Sequence, residues 1–470
     1  MKKTTFGLLV TTRGFFNPKL AEEGRKDLIK KMEDMGYDYM VLSEEDTKFG
    51  VVETLDDAKK CAKLFKENSE KIDGIIVCLP NFGDEVGVIN AIKMSNLNVP
   101  ILVQSCDDDL DKMDLQHRRD SFCGKLSVCN NLYQYKIKFT NTTLHTCAID
   151  SEVFTEDLKF FEKVCRVVGG LKGARIAQIG ARPAAFQTVR YSEKLLQDSD
   201  ITVVPVDLSE IIASAQNFGD EEAIKAKVAE IKAYGNIPCS INEDNIVKSA
   251  KLLLAIEDWM AKNECVAGAF QCWSSIEENY GCAACLPLSL MGEKGIPMAC
   301  ETDITGAVTM YALYLASMEP SGYLDWNNNY LNDRDKCVAI HCSNYPKSFI
   351  AKDFEISNLD VLGQSLGCEI CFGALKAQVA AGEMTYAKVS TDDVAGKIKV
   401  YVGEGEFTND PIQTAGGAAI CKINNLQGLM DYMCKNGFEH HVAMNRSLSA
   451  KVLEEALGKY LGWEVYNHKA

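Results

Sequence analysis

Surplus positive charge, a long apolar run and histidine are what this sequence has least of. Lysine and arginine number 50 against 66 aspartates and glutamates, a net charge of −16. That deficit excludes a nucleic-acid binder and a protein held on an anionic membrane surface. It leaves room for a small anionic ligand gripped by a few local arginines. No apolar run approaches the length of a membrane-spanning helix, and no internal repeat or low-complexity segment is present. Walker A, nucleophile-elbow and EF-hand patterns are also missing, and the glycine fragments VGEGEF and GQSLG lack the strand–loop–helix setting of a dinucleotide site. The N-terminal MKKTTFGLLV has an apolar patch too short for a signal peptide and no small-residue cleavage site, so it reads as a first strand. The 19 cysteines lie in apolar surroundings, as with Cys78, Cys265, Cys300 and Cys342, which predicts buried reduced thiols and a cytoplasmic protein.

What is present is length and alternation. A chain of 470 residues exceeds one hydrophobic core and predicts two to four domains. TTFGLLV, YDYMVLS, IDGIIVCLP and VPILVQS read as strands, with helical patterns at 19–36 and 54–69 between them. Near-continuous apolar strands alternating with helices predict a parallel sheet covered on both faces. A second cycle begins near Gly170 with ARIAQIG, VRYSEKLLQD and ITVVPVD, then a long helical stretch over 221–263, ECVAGAFQ and GIPMAC. From about residue 336, short strand signals dominate: CVAIHCSN, CEICFGAL, TYAKVSTD, KIKVYVGEGEF and AAICKIN. The expected class is α/β: two Rossmann-like α/β domains over 1–170 and 171–335, then a mostly β, barrel-like domain over 336–470.

The chemistry concentrates around MACETDITGAVTMYALYLASMEPSGYLDW, Met298–Trp326. Apolar residues at 304, 307, 308, 311, 312 and 315 predict a helix. Asp303 in its first turn reads as a helix cap. Glu301 follows the strand-like IPMAC, at the carboxyl end of a sheet strand where α/β folds hold ligands. Asp325 reads as a loop residue beside Trp326 and three asparagines. Two acids brought to one place suit either a divalent cation or an acid–base pair. Of the six histidines, His341 stands in an apolar strand, where a packed core role competes with ligation. His440 and His441 are adjacent, so one points inward and the other out. Carboxylate with imidazole suits Mn²⁺, Fe²⁺, Zn²⁺ or Co²⁺ rather than Ca²⁺ or Mg²⁺. The pairs Cys282/Cys285 and Cys368/Cys371 are too far apart in the chain for a zinc ribbon.

GIPMACETDITGAVTMYALYLAS followed by LDW resembles the metal-site region of the L-fucose isomerase and L-arabinose isomerase superfamily, and NGFEHHVAM resembles its C-terminal histidine segment. The resemblance implies Glu301, Asp325 and His441 as metal ligands, with Glu301 and Asp325 also the catalytic acid and base. VAIHCSN resembles a further histidine segment of the arabinose isomerase branch, which makes His341 a possible fourth ligand. AGAFQCW implies Gln271 and Trp273 at the sugar, with Trp326 beside Asp325. TTRGFF implies an arginine, Arg13, that reaches the active site of a neighbouring subunit. The implied enzyme is a Mn²⁺-dependent aldose–ketose isomerase working through an enediolate, in a homo-oligomer, commonly a hexamer, with sites at subunit interfaces. Deoxy, pentose and C6-modified sugars, including sulfoquinovose, are the implied substrates, and Arg13, Arg182 and Arg190 are available to a C6 anion. The alternatives are a metal-dependent epimerase or lyase on the same scaffold and a non-catalytic sugar-binding protein.

Overall fold

The computed structural model describes residues 3–469. The chain forms two compact units, Met1–Gly169 and Gly170–Ala470. In the first, β1 (Thr5–Val10), β2 (Asp38–Val41), β3 (Gly74–Leu79), β4 (Ile101–Ser105) and β5 (Thr140–Asn141) make one parallel sheet ordered β2-β1-β3-β4-β5. Every residue of β1, β3 and β4 is buried. This is why those strands carry apolar runs rather than alternation. The crossing helices start on polar caps: Asn17 accepts from Lys19 N, and Thr54 with Asp57 forms a reciprocal capping box.

In the second unit β6 (Arg175–Ile179), β7 (Thr202–Val206), β8 (Ala267–Phe270) and β9 (Met298–Ala299) form a four-stranded parallel sheet ordered β7-β6-β8-β9. A nine-stranded sheet follows: β10 (Ser321–Asn329), β11 (Lys336–His341), β12 (Glu355–Asn358), β13 (Phe372–Gln378), β14 (Gly382–Asp392), β15 (Lys397–Thr408), β16 (Gly417–Lys422), β17 (His441–Asn445) and β18 (Glu464–His468). Its order is β12-β13-β16-β11-β10-β17-β14-β15-β18, mostly antiparallel, and β16 pairs with β15 as well. The class is therefore mixed α/β, with parallel sheets and a large mixed C-terminal sheet.

The helix Ile304–Ser317 lies between the two sheets of this unit, touching β8 and β9 on one side and β10, β14 and β17 on the other. It is buried almost all round, which explains why its sequence is apolar on every face. Gly306 is required there, because a Cβ would collide with the Tyr323 hydroxyl.

Three sequence expectations are corrected. Asp325, expected in a loop, stands within β10. That strand is paired on both sides, Asp325 lying opposite Ile340 of β11 and His441 of β17, so its backbone is satisfied despite the polar run that follows. The stretch 221–263 is two helices, Glu221–Tyr234 and Glu243–Lys262, because Gly235 and Pro238 interrupt it. CEIC is not a strand: Cys368–Ile370 is a 3-10 turn after Gly367, whose φ of 101° an L-residue resists, and pairing begins at Phe372. Among the described residues no helix is long and apolar enough to cross a membrane.

Glu277 is 1% exposed, and neither of its carboxylate oxygens has a hydrogen-bond partner among the described residues. Burial pushes its carboxyl from 4.5 up to about 7. The folded state keeps its proton where the unfolded chain has lost it. The stability linked to this group is therefore full below about pH 4.5 and lost as pH rises through about 7. E277Q removes the loss: urea unfolding should show the variant gaining roughly 3 kcal/mol on its parent between acid and alkaline pH. A pH-independent difference would contradict this assignment.

Candidate active site and metal centre

Glu301 is reached by a turn the sequence gives no sign of. β9 ends at Ala299, and Glu301 (φ 53°) and Thr302 (φ 56°) are both left-handed before the helix begins. Neither is glycine, so the turn carries strain of the kind found at functional sites, roughly 1–3 kcal/mol per residue. It is held by Thr302 N donating to Phe270 O at 3.1 Å and Asp303 N to Cys300 O at 3.1 Å. Thr302 Oγ1 donates to Ala181 O at 3.2 Å. The turn leaves the Glu301 carboxylate buried, at 2% exposure, facing strands from the other sheet.

Those strands supply the rest. Asp325 and His441 are direct cross-strand neighbours. His441 Nε2 lies 3.4 Å from Asp325 Oδ1 and 3.7 Å from Glu301 Oε2, and His341 Nε2 lies 3.5 Å from Glu301 Oε2. His440 also approaches Asp325, at 3.7 Å, but is 41% exposed, whereas His441 is buried. The four residues named as possible ligands are thus brought to one place.

Glu301 Oε1 accepts from Cys272 Sγ at 3.5 Å, but Glu301 Oε2 and Asp325 Oδ1 are sheltered from solvent and have no hydrogen-bond partner among the described residues. Two orphaned carboxylate oxygens beside two imidazoles are costly unless a cation completes them. The donor set fits one. Asp325, His341 and His441 present ligand atoms within 4.8 Å of one another, as do Glu301, His341 and Cys342, and Cys272, Cys300 and Glu301. The thiols are the weaker donors. The Cys300 contact favours the Cys272 thiolate, yet burial and Glu301 push that thiol up to about 12, and Cys300 is raised further by Cys272, burial and Glu301. The Asp325, His341 and His441 group offers oxygen and imidazole nitrogen alone, the set that suits Mn²⁺, Fe²⁺, Co²⁺ or Zn²⁺. Burial works against ionisation of Glu301, but His341 and His441 beside it hold its carboxyl below the usual range.

Asp303 does more than cap. Oδ1 accepts from Gly306 N at 2.8 Å and Thr305 Oγ1 at 3.0 Å. Oδ2 accepts from Lys388 Nζ at 2.6 Å, from the Tyr323 hydroxyl, and from His441 Nδ1 at 3.0 Å. Burial opposes its charge, yet the Lys388 ammonium and His441 keep its carboxyl well below the carboxylate range. A cap was legible in the sequence; the second oxygen's partners come from strands far along the chain and were not. Lys388, an amine in the apolar strand TYAKVSTD, was the one visible hint.

The other expected residues take varied positions. Trp273 (φ 59°, 44% exposed) meets Phe186 edge-on at 4.7 Å, and Phe186 lies 5.7 Å from His440 and 6.2 Å from His441 by ring centroids. Phe186 was missed: GARPAAFQ is a loop, and nothing in its spacing fixes where it folds. Gln271 has both ends of its amide engaged, accepting from Ala181 N at 2.8 Å and donating to Ser275 Oγ at 3.1 Å. Trp326 packs in the core and donates from Nε1 to Tyr401 at 2.9 Å. Strand alternation turns it to the face opposite Asp325. Arg13 lies in the first unit, where it pairs with Glu85, donates to Gly83 O at 2.9 Å and lies 4.2 Å over the Phe82 ring. Of the CxxC cysteines, Cys282, Cys285 and Cys371 are buried and Cys368 is exposed; all are free thiols.

Comparison with known proteins divides the chain between two family models. Residues 7–172 match the fucose/sulfoquinovose isomerase N-terminal domain, and residues 339–469 match the L-fucose isomerase C-terminal domain. The class of protein is therefore an isomerase, an intramolecular oxidoreductase. The chain belongs to the fucose isomerase-like sugar isomerase superfamily. Similar curated proteins include the sulfoquinovose isomerase of Alkalicoccus urumqiensis, 24% identical over 69% of this chain and 70% of that protein. That of Priestia aryabhattai is 23% identical over 80% and 81%. Among solved structures, a periplasmic sugar-binding protein from Pseudomonas fluorescens aligns at 8% identity over 67% of this chain and 79% of that one. Its TM-score of 0.17 is too low to bear on the fold.

A cation that completed the orphaned oxygens would bind the folded chain alone. Mn²⁺ at about a hundred times its Kd should therefore add about 2.7 kcal/mol of stability to metal-stripped protein. Thermal unfolding with and without Mn²⁺ should show the rise in the parent and its loss in E301Q and H441A. An equal rise in all three would place the ion elsewhere.

Proposed function

We propose that the protein is a divalent-metal-dependent aldose–ketose isomerase whose reaction is carried by Glu301 and Asp325. The observation that carries the reading is the pair of orphaned oxygens, Glu301 Oε2 and Asp325 Oδ1, set beside the Nε2 atoms of His341 and His441. Glu301, Asp325 and His441, with His341 as a fourth, would hold the ion, Mn²⁺ being our choice among those the donors suit. When bound, the ion supplies a positive charge that polarises a sugar carbonyl and steadies an enediolate. The carboxylates supply the proton transfers. One removes the proton from the carbon bearing the hydroxyl, and the other exchanges protons at the neighbouring oxygens, the first returning its proton to the adjoining carbon. Glu301 is suited to the role of base, since the ion it helps to hold would keep its carboxylate ionised. Trp273 and Phe186 offer an apolar edge where a sugar's C–H face can lie. The additional β16–β15 pairing supports reading the C-terminal strands as a barrel that carries His441 and Asp325.

We favour a sugar with an anionic C6 substituent. The relatives named above act on sulfoquinovose by their names, and Arg182 lies next to Ala181, which is bonded to both Gln271 and Thr302. The Arg182 guanidinium donates to carbonyls of its own loop, Pro183 O at 2.9 Å and Ala184 O at 3.3 Å, a modest claim on a five-donor group. We also take the working form to be a closed homo-oligomer into whose neighbouring sites Arg13 reaches, as the family likeness of TTRGFF implies.

Chelation should abolish turnover and Mn²⁺ restore it. E301Q and D325N should each lose about 10³-fold in kcat while remaining folded, as the loss of a general acid or base implies. Reaction in deuterated water, followed by NMR, should place deuterium on the carbon next to the carbonyl. E301Q retaining full activity, or products differing at a stereocentre without carbonyl migration, would overturn the reading. For substrate choice, R182Q should raise KM for sulfoquinovose about tenfold or more and leave KM for glucose unchanged; equal effects on both would remove the sulfonate assignment.

A further inference from the structure

Capping a helix needs one side-chain oxygen, and asparagine, serine or threonine serves nearly as well as aspartate. Asp303 spends Oδ1 on that task. Its other oxygen is met by three donors from three strands: Tyr323 of β10, Lys388 of β14 and His441 of β17. Lys388 and Asp303 are both completely buried, and burying an ammonium–carboxylate pair costs several kcal/mol per ion before their attraction repays it. Capping does not account for such an arrangement.

We propose that Asp303 is a positioning residue for the metal centre, its Oδ2 fixing His441 with Nδ1–H inward and the Nε2 lone pair toward Glu301 and Asp325. The proposal rests on the reading of Glu301, Asp325 and His441 as ligands. Lys388 and Tyr323 can only donate toward Oδ2 here, so the oxygen stays an acceptor and His441 must donate from Nδ1. The hydrogen on Nδ1 frees Nε2 as the ligating atom, 3.4 Å from Asp325 Oδ1 and 3.7 Å from Glu301 Oε2. A carboxylate behind a ligating histidine fixes its tautomer and raises its basicity, and losing it typically costs 10- to 100-fold in metal affinity. Lys388 sets the position of the carboxylate in turn, reaching Thr305 Oγ1 at 3.3 Å and the Tyr323 hydroxyl at 3.2 Å.

The test has one arm that needs no variant. With six histidines in the sequence, nitrogen NMR of histidine-labelled, metal-free parent protein is sparse enough to assign His441, using H441Q to identify its signals. The expected result is a proton on Nδ1; a ring protonated at Nε2 alone overturns the proposal. The second arm titrates Mn²⁺ by electron paramagnetic resonance. D303N keeps an oxygen for the cap but presents an amide in place of the charge, and D303N/K388M also removes the ammonium that D303N would strand. The double variant should unfold near the parent's temperature and bind Mn²⁺ 10- to 100-fold more weakly, with His441 no longer held in one tautomer. A folded double variant with the parent's Mn²⁺ affinity overturns the proposal. If E301Q binds Mn²⁺ as tightly as the parent, the ligand assignment itself fails, whatever Asp303 does.

Discussion

The buried ion pair between Asp303 and Lys388 is the contact on which the geometry of the second unit turns. It ties the N-terminus of the central helix to β14, and through Tyr323 and His441 to β10 and β17. Removing one partner would strand a charge in the interior, which costs far more than the pair contributes. Both Asp303 oxygens are satisfied: Oδ1 by the helix N-terminus and Thr305, Oδ2 by three donors. Such a network is rigid because no member can rotate without leaving another unpaired. The start of the helix that connects Glu301 to Asp325 is thereby locked to three strands of the nine-stranded sheet, β10 among them, which carries Asp325.

Satisfaction at Asp303 contrasts with deprivation a few ångströms away. Glu301 Oε2 and Asp325 Oδ1 have no hydrogen bond among the described residues, and Glu301 sits on a strained left-handed turn. A fold optimised for stability alone would close these gaps with a serine, an amide or a glycine. Keeping them open means that the cost of desolvating the carboxylates is met during folding rather than during the reaction, which is what preorganisation requires. The fully bonded network and the deprived one belong together, since the first holds the second in place.

The parallel sheets were legible in the sequence because burial on both faces leaves a signature in residue type: IDGIIVCLP is apolar throughout, and it is β3. The position of Glu301 was legible because IPMAC reads as a strand, and the residue does follow the carboxyl end of the parallel strand β9. Asp325 was found by residue type but assigned to a loop, since three asparagines after it mask a strand whose identity is settled by its neighbours in space. Asp303 was read only as a cap. Local sequence determines one of its oxygens, while the partners of the other arrive from β10, β14 and β17, which no window of the chain contains. Trp326 shows the converse error: adjacency to Asp325 suggested a shared role, but in a strand adjacent residues face apart.

The same division bears on how one scaffold serves different sugars. The proposed ligands stand on strands and on a turn pinned by the central helix, so their spacing cannot vary without disturbing the core. The groups around them come from elsewhere: Phe186 and Arg182 from the loop after β6, Trp273 from the loop after β8, and His440 from the residue just before β17. Loops tolerate substitution where packed strands do not. Gln271 joins the two tiers, its amide holding the Ala181 backbone against the end of β8. On the proposed reading, specificity can therefore change by exchange of residues at 182, 186 and 273 while the proposed ligands, and with them the proposed proton-transfer chemistry, remain.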